Sequence, residues 1–116
     1  MLYRIADLAD WQHAQQTGHF ASADLAAEGF IHTSAQSQIL ETARRYYAGR
    51  PDLVLLEIDE EALTAAAVRV EREWAASRGE YFAHAFGPIP VAAVRRTWPF
   101  AADTTGAFAL PPELAD

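Results

Sequence analysis

The sequence has no cysteine and no lysine, and no apolar run in it approaches the length of a membrane span. Without cysteine, disulfides and thiolate metal sites are excluded, and a cytoplasmic location fits that usage. A helix that crosses a bilayer needs roughly 20 apolar residues in succession, so no membrane partner is expected. The start does not read as a signal peptide either, because Met1-Leu2-Tyr3-Arg4-Ile5 soon meets Asp7 and Asp10.

Positive charge is scarce. Nine arginines supply all of it and leave a net charge of −7. An acidic chain repels a phosphate backbone, since nucleic-acid binding depends on clustered cations that displace counterions, so no nucleic-acid partner is expected. Arg44, Arg45 and Arg50 read as the solvated face and C-terminal charges of a helix. Using only arginine suits a site for phosphate or carboxylate, which a guanidinium binds bidentately. A compositional bias, seen in the abundance of alanine, accounts for it equally. The glycine patterns of P-loops and dinucleotide-binding turns are missing, so neither site has support.

What is present is a chain of 116 residues, 51% hydrophobic, enough for one domain with a single core. No repeat or internal linker divides it. Residues 1–100 read as that domain, and 101–116, with Thr104-Thr105-Gly106 and Pro111-Pro112, as a tail that is loosely docked or mobile. Leu2 to Ile5 forms a strand, and Asp7 caps a helix with Leu8, Trp11 and Ala14 on one face and Gly18 as its stop. Ser22 opens a helical turn that Gly29 ends. Phe30 to Ser34 is a second strand. Ser34 or Ala35 then begins the best helix, with Ser34 read as its cap and with Ile39, Leu40, Ala43, Tyr46 and Tyr47 near a 3.6-residue spacing. The near-continuous apolar run from Leu53 to Asp59 predicts a central strand covered on both faces. A short helical turn over 60–65 is followed by strands over 68–74, 81–86 and 91–100, with Gly87-Pro88-Ile89-Pro90 interrupting the last two. Helices early and strands late, without βαβ alternation, indicate an α+β fold.

Strand alternation selects the candidate chemistry. Phe30, His32 and Ser34 share a face, as do Phe82, His84 and Phe86, and as do Leu2 and Arg4. Arg4, His32 and His84 therefore form a candidate site if those faces meet around one cleft. The alternative for each is a private hydrogen bond in the core or a place at the solvent rim. His13 points to water and His19 sits in a loop. A metal site would need His32, His84 and a carboxylate such as Glu57; no short histidine spacing supports it, and no metal is expected. Glu57 itself reads as a solvated strand-end residue, and Ser34 as a helix cap rather than a nucleophile, because no nucleophile-elbow pattern surrounds it.

Four segments carry a resemblance: Leu2-Tyr3-Arg4-Ile5 followed by Trp11, Glu28-Gly29-Phe30-Ile31-His32-Thr33-Ser34, the run from Gly49 to Asp59, and Tyr81-Phe82-Ala83-His84-Ala85-Phe86-Gly87-Pro88-Ile89-Pro90. In this order they resemble the domain of unknown function 952 family. That family is similar in pattern to the ADP-ribosyltransferase superfamily, nearest to the RNA 2′-phosphotransferases, with Tyr3-Arg4-Ile5-Ala6 and His32-Thr33-Ser34 on the matching motifs. The resemblance implies a split, bent, mostly antiparallel sheet, with two main helices near the N-terminal half. It implies NAD or a related nucleotide in the cleft between the halves, bound by Arg4, His32 and Ser34, with Arg4, His32 and His84 as catalytic residues. Arg4 stands where the family usually has histidine, and Ile5 where the relatives have glycine. No glutamate falls in the Gln-x-Glu or Glu-x-Glu setting of protein-modifying transferases. The expected function is ADP-ribosyltransferase-like, with transfer to an acceptor the sequence does not name. The alternatives are a non-catalytic module for a small anionic metabolite and a histidine-based metal hydrolase.

Overall fold

The apolar run that begins at Leu53 organises the molecule. In the computed structural model, which describes residues 1–115, the chain runs β1 (Leu2–Asp7), α1 (Leu8–Thr17), β2 (His19–Phe20), α2 (Ala23–Glu28) and β3 (Ile31–His32). A 3-10 turn (Gln36–Gln38) leads into α3 (Ile39–Tyr46), followed by β4 (Leu53–Ile58), α4 (Glu60–Ala65), β5 (Val70–Ala75), β6 (Glu80–Ala85), β7 (Ile89–Pro90) and β8 (Val94–Phe100). All of β4 is buried, and it lies antiparallel between β1 and β8. Among the described residues no helix is long and apolar enough to cross a membrane.

Alternation along β4 serves two cores. Val54, Leu56 and Ile58 pack with Leu2, Ala6, Trp11, Phe20, Ile31 and Leu63. Leu53 and Leu55 face the other way, with Tyr3, Ile5, Ile39, Ala43, Phe100 and Leu114. Leu40 and Tyr46, which the spacing places on the buried stripe of α3, are exposed. The 101–115 stretch contributes to the second core: Phe108 stacks on Phe100 at 5.1 Å between centroids, and Leu114 is buried. Trp98 Nε1 donates to Glu113 at 3.1 Å, and Gln36 Nε2 to the Leu114 carbonyl at 2.5 Å.

A second sheet has the order β3-β6-β5, all antiparallel. Among the described residues, a single backbone bridge connects it to the first. Tyr3 N donates to the Ser34 carbonyl at 2.8 Å and Ser34 N to the Tyr3 carbonyl at 2.7 Å. The strands thus read β8-β4-β1 and then β3-β6-β5, a mostly antiparallel sheet split beside this bridge, in a mixed α and β fold.

Four local expectations are corrected. The 30–34 strand is regular only at Ile31–His32, because Ser34 leaves β6 to pair with β1. Ser34 therefore does not cap the helix; Ala35 holds that position, and its N–H donates to the Gln38 side chain at 2.9 Å. Asp7 stands at the N-cap of α1, but its carboxylate is drawn to Arg50 instead of the helix N–H groups. Ile89–Pro90 forms a two-residue ladder with His19–Phe20, short enough to tolerate a proline without an N–H.

Glu57 differs most from expectation. It is 3% exposed, accepts two bonds from Arg96 at 2.8 Å and one from the Tyr3 hydroxyl at 2.9 Å. The Arg96 bonds hold its carboxyl below the usual range despite burial. Burial, and then the bond to Glu57, push the Tyr3 hydroxyl up to about 12. The run of leucines before Glu57 gives no sign of Arg96, which lies across the ladder at the paired position of β8.

Leu56→Ala opens a cavity on a fully buried face of the central strand, and is expected to cost about 3 kcal/mol. Urea denaturation checks this as a lowered midpoint with an unchanged slope. A loss below about 1 kcal/mol would contradict the burial described for β4.

Candidate functional site

Beside the Tyr3–Ser34 bridge, the parting of the two sheets leaves a cleft of about 610 Å³. Arg4 from β1, His32 and Ser34 from the β3 segment, and His84 from β6 all line it. Phe30 and Asp24 complete this wall. The structure thus brings the four sequence candidates to one hollow.

Asp24, in the first turn of α2, ties the wall together. Its carboxylate accepts from Arg4 Nη1 at 2.7 Å, from the His32 backbone N–H at 2.9 Å, from His32 Nδ1 at 2.9 Å, and from the Ser22 hydroxyl. Burial alone would raise its pKa. The bonds from His32, the Arg4 charge and the Ser22 hydroxyl outweigh that and hold the carboxyl well below the usual range. Arg4 is accordingly already paired. Its Nη1 also reaches the His32 carbonyl at 3.1 Å and its guanidinium lies 5.8 Å from the Phe20 ring centroid, while its Nε is buried without an acceptor.

His84 has a parallel arrangement. It sits directly across the ladder from His32, with ring centroids 5.1 Å apart. Its Nδ1 lies 2.7 Å from Glu73, the diagonal neighbour on β5, a separation that long side chains span across a sheet. Phe30 stacks on the His84 ring at 4.0 Å and meets His32 edge-on at 5.0 Å. A carboxylate on Nδ1 fixes the proton there in a neutral imidazole and leaves Nε2 as the acceptor. His84 is therefore oriented for hydrogen bonding or proton transfer through Nε2. For His32 that atom lies 3.7 Å from the Glu28 carboxylate. Ser34 uses its backbone in the bridge and is one of the residues that line the cleft.

Among the described residues, no group of three or more His, Asp or Glu side chains has the spacing to hold a metal ion. Glu57 is bound to Arg96 and Tyr3, so it does not join His32 and His84 as a third ligand. His13 and His19 are exposed and lie outside the main cleft. Sequence reasoning missed Asp24 and Glu73. The one available signal was for Asp24: a Ser-x-Asp start to a short helix, which ordinarily means favourable charge at a helix N-terminus.

The DUF952 family, described as proteins of unknown function, matches residues 5–97. The chain belongs to this family. The DUF952 chain is similar to protein CC0527 from Caulobacter crescentus, whose crystal structure is 34% identical over 97% of this chain and 96% of that one, with a TM-score of 0.85. A crystal structure of a double mutant of CC0527 gives 33% identity, a TM-score of 0.84 and the same coverage. The solution structure of CC0527 gives 35% identity, with 91% and 89% of the two chains covered and a TM-score of 0.73. No curated protein matches.

A carboxyl whose folded-state pKa is lowered stabilises the fold above its unfolded value, near 4, and that stabilisation is lost as pH falls below it. Asp24 is such a group. Asp24→Asn is expected to be less stable at pH 7, by about 2 kcal/mol for charged hydrogen bonds weakened together. The gap should narrow below about pH 4. Thermal midpoints across pH 2.5–7 measure it; parallel curves for the two proteins would contradict this role.

Proposed function

We propose that the cleft binds NAD or a related nucleotide, and that the chain is an ADP-ribosyltransferase-like enzyme using Arg4, His32 and His84. The observation that supports this most is the meeting of these residues and Ser34, from three strand segments, in a cleft within the size range of small-molecule sites. The residues present fit such a guest. The stacked Phe30–His84 pair offers a flat face for a heteroaromatic ring, and the buried Arg4 Nε lacks an acceptor. Ile5, at the position of the related transferases' glycine, is largely buried in the second core.

NAD would supply a nicotinamide–ribose bond whose cleavage develops positive charge on the sugar. Around that chemistry the chain contributes fixed groups. Asp24 and Glu28 favour positive charge at this wall, held in place before any reaction begins. His32 offers Nε2 to a ribose hydroxyl, and Ser34 its hydroxyl to a carboxamide or phosphate. His84, held by Glu73 and Phe30, orients the acceptor and takes its proton.

A second reading, a non-catalytic module for a small anionic metabolite, draws support from the internal pairing of the site. Arg4 is engaged by Asp24, and both imidazoles hold carboxylates. Calorimetric titration with NAD and with ADP-ribose separates the outcomes. Heat is expected with both, weakened about tenfold or more in His32→Ala through loss of a hydrogen bond to the ligand. No heat from either ligand at millimolar concentration would overturn the nucleotide reading. Nicotinamide release on long incubation with NAD, abolished in Arg4→Ala, favours the enzyme; binding without release favours the module.

A further inference from the structure

A second arginine in the cleft is placed unlike Arg4. The hairpin between β5 and β6 turns at Ser77-Arg78-Gly79, with Gly79 at a left-handed φ of +65° that only glycine adopts freely. The turn directs the Arg78 side chain inward, where it is 3% exposed and its guanidinium lies 4.6 Å over the Phe82 ring. Nη1 donates to the Thr42 hydroxyl on α3 at 3.0 Å. Nη2 is buried and has no hydrogen-bond acceptor. Glu80 approaches only to 3.9 Å, is nearly half exposed, and also receives Gln38 Nε2 at 3.4 Å.

A desolvated cation with an open donor is costly unless something completes its bonding, and such a group in a cleft wall calls for an explanation. Its neighbours point to an anion. The Thr42 hydroxyl accepts from Arg78, which leaves its own proton to donate, and Ser77 lines the same cleft. A guanidinium with two hydroxyls is a donor set for a tetrahedral oxyanion. Arg4 does not duplicate this role, because Asp24 already neutralises it.

We propose that Arg78, with Thr42 and Ser77, forms an anion subsite that holds a phosphoryl group of the cleft's ligand, which would take the position at the guanidinium that Glu80 approaches at 3.9 Å. The identity of that ligand as a nucleotide rests on the function proposed above; the subsite itself does not. Glu80 then competes with the phosphoryl group, and removing its charge should strengthen binding.

The test uses inorganic phosphate, AMP, adenosine and NAD, each followed by calorimetry and by the thermal midpoint of the full chain. Phosphate and AMP are expected to bind and to raise the midpoint, while adenosine binds more weakly than AMP. Arg78→Met retains apolar packing on Phe82 and removes the open donor. It should fold with an unchanged or higher midpoint and bind AMP about tenfold more weakly, the scale of one charged hydrogen bond. Glu80→Gln should bind AMP more tightly than the wild type. Should Arg78→Met fail to fold, Thr42→Val reports on the same subsite from α3, and weakened AMP binding there supports it. AMP and phosphate binding that needs Arg78 while NAD gives no heat upholds the subsite and overturns the NAD reading. NAD or AMP binding that is equal in wild type, Arg78→Met and Thr42→Val overturns the subsite and leaves the nucleotide reading standing. No response of the wild type to phosphate or AMP overturns the subsite outright.

Discussion

The two backbone bonds between Tyr3 and Ser34 determine where this protein has an inside and where it has an opening. Each half-sheet has a complete ladder of its own, but the halves share this one pair. Beside the pair, Arg4 reaches the His32 carbonyl and shares Asp24 with His32. A buried backbone donor or acceptor must find a partner. The single crossing therefore acts as a hinge point from which the strands diverge, with polar side chains filling the space between them.

The electrostatics follow from that opening. With arginine as the only basic side chain besides histidine and acids in excess, most cations have a carboxylate partner: Arg4 has Asp24, Arg50 has Asp7, Arg72 has Glu60 and Arg96 has Glu57. Many of these pairs are exposed and contribute little. Asp24 is different because it is largely screened from water and serves three residues at once. Removing any one partner leaves the others bonded to a charge with fewer compensating donors, so the four groups behave as a unit.

Much of the scaffold was legible in the sequence. The run Leu53-Val54-Leu55-Leu56 reads as a central strand covered on both faces, and all of β4 is buried. Gly18 and Gly29 ended helices as expected, each with a positive φ. Alternation set His32 on the face of Phe30 and His84 on the face of Phe82 and Phe86, and the register sets the two histidines directly opposite each other. The electrostatic partners were not legible. Asp24 and Glu73 act on histidines in other elements, and nothing local distinguishes a carboxylate that will meet an imidazole from one that will meet water. Glu57 was misread because its parity with Leu53 and Leu55 indicates burial, whereas its charge indicates solvent; Arg96, visible only through the β4–β8 register, reconciles the two. Phe108 and Leu114 likewise pack through contacts that weak periodicity does not reveal.

The pairing of Arg4 with Asp24 also limits which guests the cleft can accept. A polyanion that approaches Arg4 meets a neutralised guanidinium backed by a carboxylate, and beyond it Glu28. It would have to displace Asp24, which has other bonds to keep it in place. A guest with separated charges faces no such conflict: a cationic or charge-developing part sits against the Asp24 wall, and an anionic part lies away from it. Selectivity of this kind comes from what the carboxylate repels as much as from what the arginine attracts.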